Sequence, residues 1–254
     1  MQSLAAPTVG IAHGEEVLRF TRLPPEGTAA DPEGAGLGYA AEVAPLATAA
    51  ERPHESLFET GPKLALIPER LYRFEDRRDY LLGAYPNVSA EVGVVDVPSV
   101  GALGIFERDA RVPSGADAGH HVVQLFVGTA DELRTRHPDF AIAFFTGPHL
   151  WVVLYRGGQL AAVEGRGSRA SADAVFHLAS RYEHFGLDRA AVPLFLAGAV
   201  APDGELDRQL RIYFSVAYLR EALPPANRGP AARLLLAYGR AVRDRAGAID
   251  STTA

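Results

Sequence analysis

The sequence contains no cysteine. That excludes disulfides, thiolate nucleophiles and cysteine-ligated zinc, and it fits a reducing compartment. Long hydrophobic runs are missing too. No window approaches the roughly 18 consecutive apolar residues of a membrane-spanning helix. The opening residues, MQSLAAPTVGIAHGEEVLRF, lack the basic start and apolar run of a secretory signal. The expectation is a cytoplasmic protein that does not span a membrane. Charge of one sign does not accumulate either. The net charge is −6, with 25 basic residues scattered among 31 acidic ones. No basic footprint for nucleic acid is visible, and an acidic surface disfavours anionic lipid. A P-loop GxxxxGK[ST] and a zinc-binding HExxH are both absent.

What is present is an ordinary globular composition: 254 residues, 48% hydrophobic and 22% charged. That length fits one large domain or two small lobes, with enough chain to bury a core. Residues 8–23 read as a hairpin turning at His13-Gly14-Glu15. Residues 24–54 are rich in Pro, Gly and Ala and read as a long irregular loop with a short central strand. LALIP (64–68) predicts a buried strand. The following ERLYRFEDRRDYLLGAY has helical spacing, with Phe74, Tyr80 and Leu81 on one face. Two strands follow at 91–97 and 100–106. From Asp117 to Arg136 the three- and four-residue recurrence of Val122, Leu125, Phe126, Thr129 and Leu133 predicts a helix capped by Asp117. Gly128 inside it is unfavourable.

A second series opens with DFAIAFFTGPHLWVVLYRGGQL (139–160). It reads as strand, tight turn at Thr146-Gly147-Pro148, strand, and a second turn at Gly157-Gly158. A third strand, QLAAVEG, leads to a helix with Ser171 as N-cap and Val175, Leu178, Ala179 and Tyr182 inward. AVPLFLAG is an apolar strand. A short helix follows with Leu206, Leu210 and Tyr213 inward, then a final helix with Leu235, Tyr238 and Val242 as its stripe.

Most motif-like stretches have plain explanations. GAGLGYA (34–40) follows a loop rather than a strand, so it reads as a flexible segment. His120 and His121 are adjacent, and adjacent helical residues point to different sides, which disfavours one shared metal. EGRGSRAS lacks the second glycine of a nucleophile elbow, and its serines read as helix caps. Glu75, Asp76 and Asp79 lie among Arg73, Arg77 and Arg78 as a solvated charged face. Trp151 alternates with Val152 on its strand and reads as a core or interface residue.

The order of these elements resembles the actin-like ATPase superfamily, which includes actin, Hsp70 and the type IV pilus assembly ATPases. Two segments carry the likeness: the hairpin at 140–155 with its third strand and helix, and LFLAGAVAPDGELDRQL (194–210). In that superfamily an apolar strand runs into a Gly-Gly-Gly turn before a helix. Here Gly198 keeps the first glycine, and Ala199 and Val200 stand at the next two places. Within the superfamily the chain looks most like the DUF3822 family of uncharacterised bacterial proteins. The segments KLALIPERLYRFEDRRDYL, HLWVVLYRGGQLAAVEGRGSRASADAVFHLASRY and LFLAG carry that likeness, from about residue 10 to about residue 220. The resemblance implies an α/β actin-like ATPase fold: two RNase H-like lobes around a cleft, at 1–136 (with the loop 24–54) and 137–254.

The same resemblance shows what the chain does not keep. The superfamily hairpin places two Asp residues and three glycines around the phosphates and Mg²⁺. Phe144 falls at the first Asp, Thr146, Gly147 and Pro148 at the glycines, and Trp151 at the second Asp. Pro148 has no N–H to offer. The strand of the first hairpin, TVGIAHGEEV, has no Asp either. The expectation is no efficient ATP hydrolysis, no catalytic residue, no metal and no cofactor. Phe144, Phe145, Trp151 and Tyr155 are expected to fill the old phosphate pocket. An apolar pocket favours a protein or peptide partner, with Phe144 and Trp151 as candidate contacts. The alternative is a nucleotide switch or weak ATPase that holds ATP and Mg near Thr146, Gly147 and Gly198.

Overall fold

The computed structural model describes residues 8–13, 15–22, 39–46, 56–89, 91–112, 117–147, 149–168 and 170–252. Most of the 24–54 loop, residues 34–38 of GAGLGYA, and Pro148 lie outside the described residues. The chain divides into two compact units, Met1–Val127 and Gly128–Ala254.

In the first unit, β1 (Thr8–His13) and β2 (Glu16–Arg22) form the expected hairpin. Ile11, Val17, Leu18 and Phe20 are fully buried along it. β3 (Tyr39–Pro45) adds antiparallel to β2 and is the strand expected inside the long loop. β4 (Ser56–Glu59) runs parallel to β1. Between β4 and the last strand of this sheet the chain builds a smaller layer. It comprises β5 (Leu64–Pro68), α1 (Arg77–Ala84), β6 (Val92–Val97) and β7 (Ala102–Glu107). β5, β7 and β6 form a three-stranded antiparallel sheet in that order. β8 (Asp117–His121) then returns parallel to β4, which completes the order β3-β2-β1-β4-β8. α2 (Val123–Leu133) follows.

Several expectations change here. The helical pattern from Asp117 holds only from Val123. Before it the backbone pairs with β4, Phe58 to His120 and Glu59 to His121, so ladder hydrogen bonds override the side-chain period and Asp117 stands at the start of a strand. The segment after β5 is two short 3-10 turns before α1, and Phe74 is 63% exposed while Leu81 is fully buried. Phe74 lies under the Arg77 guanidinium at 4.2 Å instead of sharing the core face.

Two buried polar groups join the layers of this unit. Glu59, fully buried at the end of β4, accepts hydrogen bonds from Arg108 Nε (3.2 Å) and the Asp109 N–H (2.7 Å), just past β7. Burial pushes its carboxyl above the usual range in spite of those donors. His121 donates from Nε2 to the Gly61 carbonyl (3.0 Å) and accepts the Val123 N–H on Nδ1 (3.2 Å). Its ring lies 4.8 Å from that of Phe106, and that of His120 lies 5.0 Å from that of Phe58. Successive strand residues face opposite ways, so the two imidazoles diverge.

The second unit repeats the same sheet pattern. β9 (Phe140–Phe145), β10 (His149–Arg156) and β11 (Gln159–Gly167) are antiparallel neighbours. α3 (Ser171–His184) leads to β12 (Pro193–Gly198), which runs parallel to β9. After α4 (Glu205–Tyr213), β13 (Ser215–Tyr218) runs parallel to β12 and completes the order β11-β10-β9-β12-β13. α5 (Leu219–Ala222) and α6 (Pro230–Thr252) finish the chain. β9 is buried along its whole length because both of its faces are covered. Ala141, Ala143 and Phe145 join Leu178 and Tyr182 of α3 and Leu210 of α4. On the other face Phe144 stacks on Tyr238 of α6, with centroids 5.3 Å apart. The expected stripe Leu235, Tyr238 and Val242 is buried.

Three details differ from expectation. α3 is N-capped by the backbone of Ala170 with no side-chain cap, and Ser171 is its first helical residue. Tyr213 is 52% exposed, so only Leu206 and Leu210 of that set pack inward. The strands β4 and β13 are additions, too short to show a period. Gly128 in α2 has a packing reason: a Cβ there would stand 2.9 Å from Cβ of Ala231 on α6.

The buried imidazole generates a pH prediction. Burial lowers the pKa of His121 from its ordinary 6.5 to about 4, against the opposing hydrogen bond to Gly61. The unfolded chain therefore binds the proton first. Stability from this group is complete above 6.5 and falls between 6.5 and about 4, by on the order of 3 kcal/mol. Glu59, raised in the fold, acts in the opposite sense at lower pH. Urea denaturation at pH 7.5 and 5 should give a smaller difference in His121→Gln than in the parent; an unchanged difference counts against this assignment.

Candidate functional site

The β9–β10 hairpin brings the expected positions together. Phe144 and Trp151 are direct cross-strand partners, and neither ring has any exposed surface. A partner needs exposed atoms to touch, so in this structure the two rings are core residues. Their aromatic neighbours do not fill one pocket. Phe145 faces the α3–α4 core, whereas Phe144 alternates to the α6 side, and Tyr155 stacks on Phe140 at 4.9 Å.

The turn itself is short and tied. The Thr146 N–H (2.9 Å) and hydroxyl (3.3 Å) both donate to the carbonyl of His149, and Thr146 is 3% exposed. Gly147 is exposed at φ 95°, and a Cβ on it would meet nothing within 4 Å. Gly198 lies at the end of β12 beside Phe145 at the end of β9, so the turn and Gly198 share one end of the sheet. Gly198 has φ 86°, and a Cβ on it would come within 2.0 Å of the Phe145 carbonyl oxygen. Gly239 of α6 closes on the same point: its own Cβ would lie 3.0 Å from the Gly198 nitrogen. A contact between two glycines lets helix backbone meet strand backbone. Gly239 escaped sequence reading because a lone helical glycine carries no partner signal.

At the same end of the sheet, toward its β11 edge, is a cavity of about 240 Å³ between the end of β11 and α3. Arg166, Ser168, Phe176, His177, Ser180 and Arg181 are among its lining residues. Glu164 sits beneath it. Arg181 Nη1 reaches Glu164 Oε1 at 3.1 Å, and His177 Nε2 and Arg166 Nε lie 3.4 Å and 4.0 Å from Oε2. Burial raises the Glu164 carboxyl, but His177, Arg181 and Arg166 outweigh it and hold it below the usual range. His177 is 7% exposed, and its Nε2 completes no hydrogen bond of good geometry. Sequence reading missed this cluster. Its signal was an alternating Glu164/Arg166 pair on a strand and His177/Arg181 four apart on a helix.

No family model matches the sequence, and no curated protein matches it either. Solved structures do match. One is a protein of Bacteroides thetaiotaomicron with an actin-like ATPase fold and unknown function, at TM-score 0.71 and 11% identity, covering 92% of this chain and 96% of that one. Another is the PilM–PilN type IV pilus biogenesis complex, at TM-score 0.52 and 10% identity, covering 94% of this chain and 98% of that one. The chain has the actin-like ATPase fold.

Two substitutions separate the glycines of this site. Gly198→Ala should destabilise by roughly 3 kcal/mol or more, because both backbone angle and space forbid the methyl. Gly147→Ala meets only the angle and should cost about 1 kcal/mol. Urea titrations of the two variants check the ranking, and equal losses would refute it.

Proposed function

We propose that this chain is a non-catalytic protein of the actin-like ATPase fold, akin to the DUF3822 family, that acts in the cytoplasm by binding a protein or peptide partner. One observation carries the reading. The two hairpin positions where that superfamily uses carboxylates hold Phe144 and Trp151, paired across β9–β10 and fully buried. Metal-assisted phosphoryl transfer needs oxygen ligands for Mg²⁺ and a group to position the attacking water. Two buried rings provide neither. Gly147 and Gly198 keep turn geometry at positions that contact phosphate in the superfamily, but Thr146 spends its N–H and hydroxyl on His149.

A protein partner fits the fold's use elsewhere, since the PilM structure is that of a complex with PilN. Among the described residues no helix is long and apolar enough to cross a membrane. The second reading, a nucleotide switch or weak ATPase at Thr146, Gly147 and Gly198, rests on the two glycines with positive φ.

Thermal-shift titration with ATP, with and without Mg²⁺, separates the two. The non-catalytic reading expects a flat response and no phosphate release above buffer. A saturable Mg²⁺-dependent rise in Tm, abolished by a bulky residue at position 147, establishes the switch instead.

A further inference from the structure

The cavity beside β11 reaches Leu150 at the start of β10, but neither Thr146 nor Gly147 of the β9–β10 turn lines it. β11 is the edge strand of its sheet, nine residues long, and among the described residues no strand pairs with its outer side. An open strand edge is a row of unpaired amides and carbonyls, ready to accept another extended chain. At its C-terminal end the cavity of about 240 Å³ is large enough for one side chain. Its chemistry is specific. Glu164 is surrounded by Arg166, Arg181 and His177, and Asp173 adds a second carboxylate to the lining, so three basic side chains share the site with two acids.

Those groups are unequally engaged. Arg181 is anchored on Glu164, while its buried Nε completes no hydrogen bond. His177 is nine-tenths buried and lines the cavity with Nε2 unsatisfied. Arg166 reaches Glu164 only at 4.0 Å and keeps a side chain that is 55% exposed. Its guanidinium fork is therefore available for a second carboxylate, the geometry that arginine recognises best. Phe176 stands at the rim, 77% exposed. An exposed aromatic beside a charged cavity matches a ligand with an apolar residue next to an acidic one.

We propose that this edge is a docking site for an extended acidic peptide of a partner protein. The peptide adds as a strand to β11, places an Asp or Glu side chain against Arg166 in the cavity, and rests an apolar neighbour on Phe176. Glu164 and Arg181 act as positioning residues that hold the cavity open and polar. The proposal rests on the partner-binding reading above and supplies its chemistry.

The test is a random 12-residue phage peptide library panned on the full chain, followed by fluorescence anisotropy with the selected peptides. Selected peptides should share one acidic position flanked by strand-forming residues. Replacing that residue by its amide should weaken binding about tenfold. Arg166→Ala should do the same, without a change in Tm, because the side chain is half exposed. Arg166→Glu should shift a fresh selection to basic peptides. Hydrogen exchange with bound peptide should slow at β11 amides. Failure to enrich any peptide, enrichment without a shared acid, binding indifferent to Arg166→Ala, or protection elsewhere overturns the proposal. Competition by free glutamate at the same concentration as peptide also overturns it, since a small carboxylate would then be the ligand. The ATP titration is independent of this outcome: peptide binding at β11 together with Mg²⁺-ATP binding would refute only the non-catalytic reading.

Discussion

The second unit depends on how closely backbone can approach backbone at Gly198. There β12 meets the last carbonyl of β9, and α6 reaches the same atoms through Gly239. No side chain on Gly198 is compatible with this, because its φ disfavours one and a Cβ would stand 2.0 Å from the Phe145 carbonyl oxygen. The close approach fixes the register of α6, which in turn places Tyr238 on Phe144. The aromatic content of β9 and β10 then follows from packing: with both faces covered, volume has to come from large apolar side chains. A carboxylate in place of Phe144 would sit against the Tyr238 ring with no water, at a cost of several kcal/mol. At Phe144 a packed core and a carboxylate therefore exclude each other.

The first unit solves its layering with charge. Its sheet carries a second, three-stranded layer, and Glu59 meets the chain just after that layer through Arg108 and the Asp109 N–H. A fully buried carboxylate is tolerated only when such donors are present, so Arg108 is less a surface ion pair than a condition for β4 to end where it does.

Much of this was legible in the chain because strong periods and turn chemistry agree. The hairpins at 8–22 and 140–156 have apolar runs broken by His13-Gly14-Glu15 and Thr146-Gly147, and both fold as expected. The final helix showed its buried stripe through Leu235, Tyr238 and Val242. Failures came where tertiary pairing outweighs local preference. Residues 117–121 continue a helical pattern yet pair with β4, and α3 begins one residue away from the best capping side chain. Of the candidate site, the identities of Phe144 and Trp151 were readable, but their burial was not, since strand alternation alone does not say which faces are covered. The Glu164 cluster joins residues from two elements and has no linear motif.

α2 has a practical consequence of its own. The chain divides into its two compact units between Val127 and Gly128, inside a helix that runs from Val123 to Leu133. Helical hydrogen bonds run four residues back, so a cut before Gly128 breaks α2 in its middle. A fragment beginning at Gly128 would start on a severed turn with unsatisfied amides and a frayed end. Isolation of the second unit calls for a start upstream of Val123, with the helix whole. By the same logic, limited proteolysis should favour the exposed turns over the point where the units divide.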